Sequence, residues 1–421
     1  MSDTVILIRS SLRRCIDYVK ELIENIIYNL IPIEQNTYFF YPHPNVKADN
    51  YNLINYHSDN VLCLVNYLLR NYKNTSWKFV VVTYESDKNR IIQEYCNNIN
   101  PNIRIKFVYY KNRFDMLYWG AKSQKIFVAT VAPGCLFYRK NKQTVVDLGY
   151  FIPFKDNYIK DVEKRKRTLR KNKLLSYFLM SADLPARIFS HAFNIPYEKA
   201  LLLGFCRNDI FYKAAIPVKE ILSEELSVKI EHILVYTPTW RDYEIDNGNS
   251  LVQNKSLFGY GNEGVEELEK ILEFHNAIIV AKLHPLQSDL KLDDHFNHII
   301  PYACIKKCNI DLYELLNASE GLITDYTSTY FDYLHKNKPV IFNFYDIIDY
   351  KKYRGFSYEP IDYFCAGDIV FDSNSLNDAI KKVLQGIDAH KNKREEIRTL
   401  FDKYCDGRNT ERIANYFFAK Q

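Results

Sequence analysis

The sequence predicts an α/β protein made of two similar halves, and three observations predict it. Short apolar, strand-like runs alternate with helical stretches. The alternation restarts after about residue 215. A length of 421 residues suits two large domains better than several small ones.

Residues 11–31 place Leu12, Ile16, Val19, Leu22, Ile23, Ile26, Ile27 and Leu30 at helical spacing. The other face mixes Arg13, Arg14 and Lys20 with Asp17, Glu21 and Glu24, which favours a helix packed on the protein over one lying on a membrane. Thr37–Tyr41 then reads as a strand, Asn60–Asn71 as a helix, Trp77–Thr83 as a strand and Lys88–Cys96 as a helix. Arg104–Tyr109 reads as a strand, Met116–Ala121 as a short helix and Lys125–Ala129 as a strand. In the second half His232–Tyr236, Ala277–Lys282, Gly321–Thr324 and Pro339–Phe344 are strands, with helical stretches at 264–274, 311–318 and 328–336. An amphipathic stretch at 375–385 and a charged helical tail from Lys391 complete the chain. The boundary falls within 210–225, giving an acceptor-side half 1–215 and a second half 216–421. The polar, Asn-rich segment Tyr243–Phe258 reads as an insertion.

Composition narrows the function. Apolar residues at 47% and charged ones at 25% describe a globular protein, not a fibrous or disordered one. Only 13 residues are glycine, and no G-x-x-x-x-G-K-[ST] segment occurs, which excludes a P-loop nucleotidase. A literal G-x-G-x-x-G, Gly259, Gly261 and Gly264, follows the polar run Gln253–Ser256 and not a strand, so it marks no dinucleotide cofactor. With 56 basic and 51 acidic residues, the net charge of +5 is too small for a nucleic-acid binder. Nine scattered cysteines read as reduced thiols of a cytoplasmic protein, and the lone pair Cys304 and Cys308 makes a poor zinc site. Met1–Ser10 lacks a signal-peptide pattern, and no apolar run reaches membrane-spanning length. The expected location is cytoplasmic or at a membrane surface. The basic run Lys160–Lys173 reads either as a solvated helix face or as a contact for an anionic membrane or polyanionic acceptor.

Open α/β sheets bind ligands beyond the carboxyl ends of their strands, and three such ends of the second half carry polar clusters. They are Thr237-Pro238-Thr239-Trp240-Arg241-Asp242, Lys282-Leu283-His284-Pro285, and Asp325-Tyr326-Thr327-Ser328-Thr329 leading into Tyr330-Phe331-Asp332. Hydroxyls at a helix start suit a phosphate, Arg241 offers a fork to oxygen anions, and His284 can donate a hydrogen bond or move a proton. Asp332, one turn beyond Ser328, is expected to face the same way. Taken singly, each has a structural reading: Thr327 or Ser328 as an N-cap, Arg241 and Asp242 as a surface pair, His284 as a core histidine. No D-x-D spacing occurs, so nothing points to an aspartate-held metal.

These residues, in this order, resemble the CDP-glycerol glycerophosphotransferase family, the teichoic-acid polymerases and primases. The likeness continues through Lys338-Pro-Val-Ile-Phe342, Tyr345-Asp346 and Tyr353-Arg-Gly-Phe356. Upstream, Gly204-Phe-Cys-Arg-Asn-Asp209 resembles the family's Gly-x-Pro-Arg-Asn-Asp, and Asp59-Asn60 its early Asp-Asn element. It covers roughly residues 55–390. The resemblance implies a GT-B fold of two Rossmann-like domains, with the donor held by the C-terminal one and no metal or cofactor. An acceptor hydroxyl would attack the β-phosphate of CDP-glycerol or CDP-ribitol, and CMP would leave. By this resemblance Arg207, Pro238, Thr239, Lys282, Leu283, His284, Thr327, Ser328 and Asp332 line the donor site, and His284 is one of two essential histidines.

The other histidine belongs to a Trp-His-Gly-Thr-Pro-Leu-Lys segment, where this chain has Asp147-Leu-Gly-Tyr-Phe-Ile-Pro-Phe-Lys155. Asp147 takes the role of base, or His57 reaches in from another loop, or the chemistry differs. The leading expectation is a polyol-phosphate transferase acting on a membrane-linked, lipid-borne glycan or teichoic-acid-like polymer. The alternatives are a sugar transferase of the same fold and a non-catalytic member that binds nucleotide or polymer.

Overall fold

The structure, a computed structural model, describes residues 18–44, 57–73, 75–84, 94, 96–129, 141–156, 172–239, 241, 244–245, 249–250, 257–260, 264–283 and 297–419. The first half holds seven strands: β1 (Glu34–Tyr41), β2 (Lys78–Thr83), β3 (Arg104–Tyr109), β4 (Ser123–Val128), β5 (Thr144–Asp147), β6 (Tyr177–Met180) and β7 (Ala200–Leu202). They form one parallel sheet in the order β3-β2-β1-β4-β5-β6-β7. The second half begins with β8 (His232–Thr237). A two-residue antiparallel ladder, β9 (Glu244–Ile245) with β10 (Asn249–Ser250), lies inside the segment expected to be an insertion. Then come β11 (Ala277–Ala281), β12 (Ile299–Pro301), β13 (Gly321–Thr324), β14 (Val340–Asn343) and β15 (Asp368–Val370), paired in parallel as β12-β11-β8-β13-β14-β15. Two open parallel sheets of this kind make a GT-B-like fold.

Parallel strands covered on both faces need continuous apolar runs, and Phe79–Val82, Ile233–Tyr236 and Ala277–Ala281 are buried throughout. The strands not anticipated, β5, β6, β7, β12 and β15, have only three or four residues each, too few to show a period. The expected helix Lys88–Cys96 falls largely outside the described residues, and Lys160–Lys173 almost entirely.

The helix over 18–30 departs from expectation. It packs through Tyr28, whose hydroxyl donates to Gly120 O at 3.0 Å, and through Glu24, which pairs with Arg113. Its apolar side, with Val19, Leu22, Ile23, Ile26 and Leu30, is turned to solvent. A polar anchor of two buried residues has overridden the hydrophobic stripe.

The halves share one hydrophobic cluster, running from Phe39 and Val80 through Phe154 and Phe211 to Phe331 and Phe342. Backbone bonds reinforce it: Asp156 N–H donates to Gly355 O at 3.0 Å and Ser357 N–H to Phe154 O at 2.9 Å. The helix Asn409–Phe418 returns from the second sheet to the first. There Ile413, Ala414, Phe417 and Phe418 join the core of Phe40, Phe79 and Phe127.

Candidate active site

In both sheets the chain order reverses beside one central strand, β1 in the first and β8 in the second, which places a ligand crevice beyond the strand ends there. Register in the second sheet sets Ala281 opposite Tyr236 and Thr324 opposite Thr237. The residues that follow, Pro238 and Thr239, Lys282 and Leu283, and Asp325 to Ser328, therefore emerge side by side. The ends are tied together. Thr239 N–H donates to both Asp325 carboxylate oxygens at 2.9 and 3.0 Å, and Lys282 N–H to Tyr236 O at 2.8 Å. Pro238, Lys282, Leu283, Thr327 and Ser328 are partly exposed at this edge. Thr239 is buried, and its Oγ1 has no hydrogen-bond partner among the described residues. His284 lies outside the described residues.

Three residues expected at the ligand are instead engaged by partners within the protein. Arg241 offers no free fork: its Nε and Nη2 hold both oxygens of Asp346 at 2.7 and 2.9 Å, and Nη1 reaches Asp325 at 2.6 Å. The rings of Tyr326, Tyr345 and Tyr350 surround the guanidinium at 5.2–5.4 Å. It is a buried clamp that fixes Asp325, and through it Thr239. Asp332 does not face outward with Ser328; it is 1% exposed, and its Oδ2 accepts from Arg207 Nη2 at 2.8 Å and from the Tyr313 hydroxyl. Arg207, 3% exposed, also donates to Tyr150 O. Arg207 and Asp332 thus join the halves, because two opposite charges withdrawn from water must neutralise each other.

On the facing side, Asp147 closes β5 but is 1% exposed, and its carboxylate accepts from Gly149 N–H at 2.9 Å. An enclosed carboxylate shaping its own turn is poorly placed to meet an incoming hydroxyl. His57 turns elsewhere. Its N–H donates to Asp311, its Nε2 lies 3.9 Å from Glu314, and it lines a cavity of about 440 Å3 with Cys63, Tyr67, Arg70, Lys213 and Arg408. Burial lowers its pKa, Glu314 opposes that, and Lys213 and Arg70 add to it.

The structure brings forward His43 instead. It follows the end of β1, and its ring stacks on Tyr150 at 3.8 Å between centroids and 9° between planes. Tyr150 belongs to the Asp147–Lys155 segment, so the stack sets a histidine from the end of β1 beside that segment. Burial, with Arg207 adding to it, lowers His43 to about 4, so the ring is neutral at ordinary pH. The strand-end rule applied to the second half finds His43 when applied to Thr37–Tyr41; that was the missed signal.

Of the G-x-G-x-x-G pattern, Gly259 and Gly264 serve packing, and Gly261 lies outside the described residues. Gly259 has φ +90°, and a Cβ there would lie 2.6 Å from the Tyr345 ring. Among the described residues no group of three metal-ligating side chains occurs, and no helix is long and apolar enough to cross a membrane.

Two open parallel sheets, the second with hydroxyls and a lysine at its switch point, define a GT-B-type architecture. Residues 39–419 match the family CDP-Glycerol:Poly(glycerophosphate) glycerophosphotransferase, and the chain belongs to that family. It is 28% identical over 257 residues to the teichoic acid ribitol-phosphate polymerase TarK of Staphylococcus aureus, covering 58% of this chain and 45% of that protein. It is 26% identical over 247 residues to the teichoic acid glycerol-phosphate primase of Bacillus subtilis, covering 57% and 56%. The chain spans about half the length of the curated relatives it matches. Its fold is similar to the wall teichoic acid polymerase TagF, with a TM-score of 0.71 at 21% identity over 98% of this chain and 97% of that one.

Proposed function

We propose that this chain transfers a polyol phosphate, from CDP-glycerol or CDP-ribitol, to a hydroxyl of a teichoic-acid-like polymer and releases CMP. The observation that supports this best is the convergence of three family segments, at Thr239, Lys282 and Thr327–Ser328, on one switch point. In this reading 216–421 holds the donor and 1–215 presents the acceptor, with the helix Asn409–Phe418 seated on the acceptor half. Pro238, Thr239, Lys282, Leu283, Thr327 and Ser328 hold the donor, whose phosphates suit the lysine charge and the hydroxyls. His284 is catalytic in this reading. The acceptor oxygen bonds to the β-phosphorus as the bond from that phosphorus to CMP breaks, and the hydroxyl proton passes to the neutral ring of His43.

The acceptor is membrane-linked in this reading, at the inner face of the cell membrane. The apolar side of the helix over 18–30, exposed at Leu22, Ile23, Ile26 and Leu30, supports that contact. The test is CMP release with CDP-glycerol, CDP-ribitol and CMP-sugars in the presence of a polymer acceptor. Turnover of a CDP-polyol, lost in His284→Ala, is the expected result. Turnover of CMP-sugars alone overturns the reading in favour of a sugar transferase, and nucleotide binding without turnover in favour of a binding protein.

A further inference from the structure

Apart from the crevice, one cavity gathers unpaired positive charge. It opens between the helix Asn60–Asn71 of the first half and the two chain crossings, 206–213 and 407–411. Its volume of about 440 Å3 is that of a small-molecule site, and none of the donor-site residues is in its wall. The helix contributes Cys63, Asn66, Tyr67, Arg70 and Asn71, which follow at i, i+3, i+4, i+7 and i+8 and so share one face. At 1.5 Å per residue they make a wall about 12 Å long.

The charges in the wall do not cancel. Asp209 accepts from the N–H groups of Asn409 and Thr410 at 2.9 and 2.8 Å and from the Thr410 hydroxyl at 2.6 Å. Glu411 turns both oxygens to Arg408, at 2.7 and 3.0 Å. Arg70 and Lys213 are exposed, and neither has an ion-pair partner among the described residues. Their fields converge on the ring of His57 in the same wall: burial lowers its pKa, Glu314 opposes that, and Lys213 and Arg70 both push it down further. Asn66 brings a different group, a side-chain oxygen withdrawn from water that no donor among the described residues reaches.

Two free cations beside an unmet acceptor call for a ligand that carries anionic oxygens and a hydroxyl together. Phosphate oxygens suit Arg70 and Lys213, and a hydroxyl donor suits Asn66. The length of the wall favours an extended ligand over free phosphate. A polyol-phosphate chain repeats both groups along its length.

We propose that this cavity is a second phosphate-binding site, which holds a phosphodiester of the polymer acceptor at a distance from the crevice. The identity of the polymer rests on the reading of this chain as a polyol-phosphate transferase; the anion site does not. Holding the polymer here keeps its end at a raised effective concentration near the crevice between additions. Loss of the site therefore raises KM for a polymer acceptor and leaves kcat and donor KM in place.

The test titrates a poly(glycerol phosphate) oligomer, inorganic phosphate and CDP-glycerol separately into the full chain by calorimetry at low salt. Arg70→Ala with Lys213→Ala is expected to weaken oligomer binding at least about tenfold, as for lost hydrogen bonds to a charged group, and to leave CDP-glycerol affinity unchanged. Thr239→Val, at the other site, should do the reverse. Oligomer affinity unmoved by the double variant overturns the site. Inorganic phosphate bound as tightly as the oligomer overturns its assignment to the polymer. Because the dependence on Arg70 and Lys213 is read without turnover, it stands or falls separately from CMP release.

Discussion

Arg207 and Asp332 meet across the boundary between the two sheets, 2.8 Å apart and both almost wholly buried, with Tyr150 O and the Tyr313 hydroxyl as further partners, while Arg207 Nε and Asp332 Oδ1 have none among the described residues. A pair so placed ties the first half to the second. Removing one partner leaves a buried charge uncompensated, which costs about 3–5 kcal/mol. Asp332→Asn is therefore expected to lose roughly 3 kcal/mol in urea unfolding, and Arg207→Met with Asp332→Leu to regain much of it. A loss below about 0.5 kcal/mol would refute the pairing role and return Asp332 to the donor site.

Thr239 behaves differently. Its N–H is fixed by Asp325, but its Oγ1 is buried and has no partner among the described residues. Thr239→Val keeps the shape and removes only the hydroxyl. Stability should change by less than about 1 kcal/mol, while affinity for a CDP-linked ligand falls roughly tenfold, the worth of one hydrogen bond to a charged group. Calorimetric titration reads the second and thermal unfolding the first. Unchanged affinity would remove Thr239 from the site.

His43 carries the proton-transfer prediction. If it accepts the acceptor proton, His43→Ala lowers kcat by about 10²-fold or more with little effect on donor KM. Asp147→Asn should act instead through the Gly149 turn, so its activity should track its stability. Near-normal kcat in His43→Ala would leave the base to be found elsewhere.

The same residue shapes stability with pH. Its pKa is about 4 folded against 6.5 unfolded, so between those values the unfolded chain binds more protons and stability rises with pH. The contribution is complete above pH 6.5 and lost as pH falls toward 4. Asp59, raised to about 6 by burial, works in the opposite sense, losing stability as pH rises from about 4 to 6. The difference between wild type and His43→Asn across that range is thus the informative quantity, and no difference would mean that the ring is not held neutral by the fold.

Asp311 supplies a mechanical prediction. Its carboxylate caps the helix Leu312–Ala318 through Tyr313 and Glu314 N–H groups and also accepts from His57 and Ser58 of the other half. Asp311→Ala should cost more than an ordinary cap, at least about 2 kcal/mol, by thermal or urea unfolding. A loss near 0.5 kcal/mol would show that the ties to His57 and Ser58 add nothing.

Much of the fold was legible because its central strands are long and apolar: β1, β2, β8 and β11 announce themselves, and the strand-end rule then located Thr239, Lys282 and Thr327–Ser328. What stayed hidden depended on partners distant in sequence. Arg241 looked like a free fork because Asp325 and Asp346 lie 84 and 105 residues away. The direction of Asp332 was set by Arg207, 125 residues earlier. The stripe from Val19 to Leu30 predicted the helix but not which side would pack, since two polar anchors at Glu24 and Tyr28 decided it.

The return of the helix Asn409–Phe418 to the first sheet also bears on how the molecule comes into being. Phe127 stacks with Phe418 and meets Phe417 edge-on, so the first core lacks part of its filling until the whole second sheet has been synthesised. Emerging from the ribosome, the first half would expose that apolar seat while waiting for its last helix. Its maturation is therefore delayed by the order of translation, and a nascent chain halted before Asn409 should be a better substrate for chaperones and proteases than one halted after Phe418.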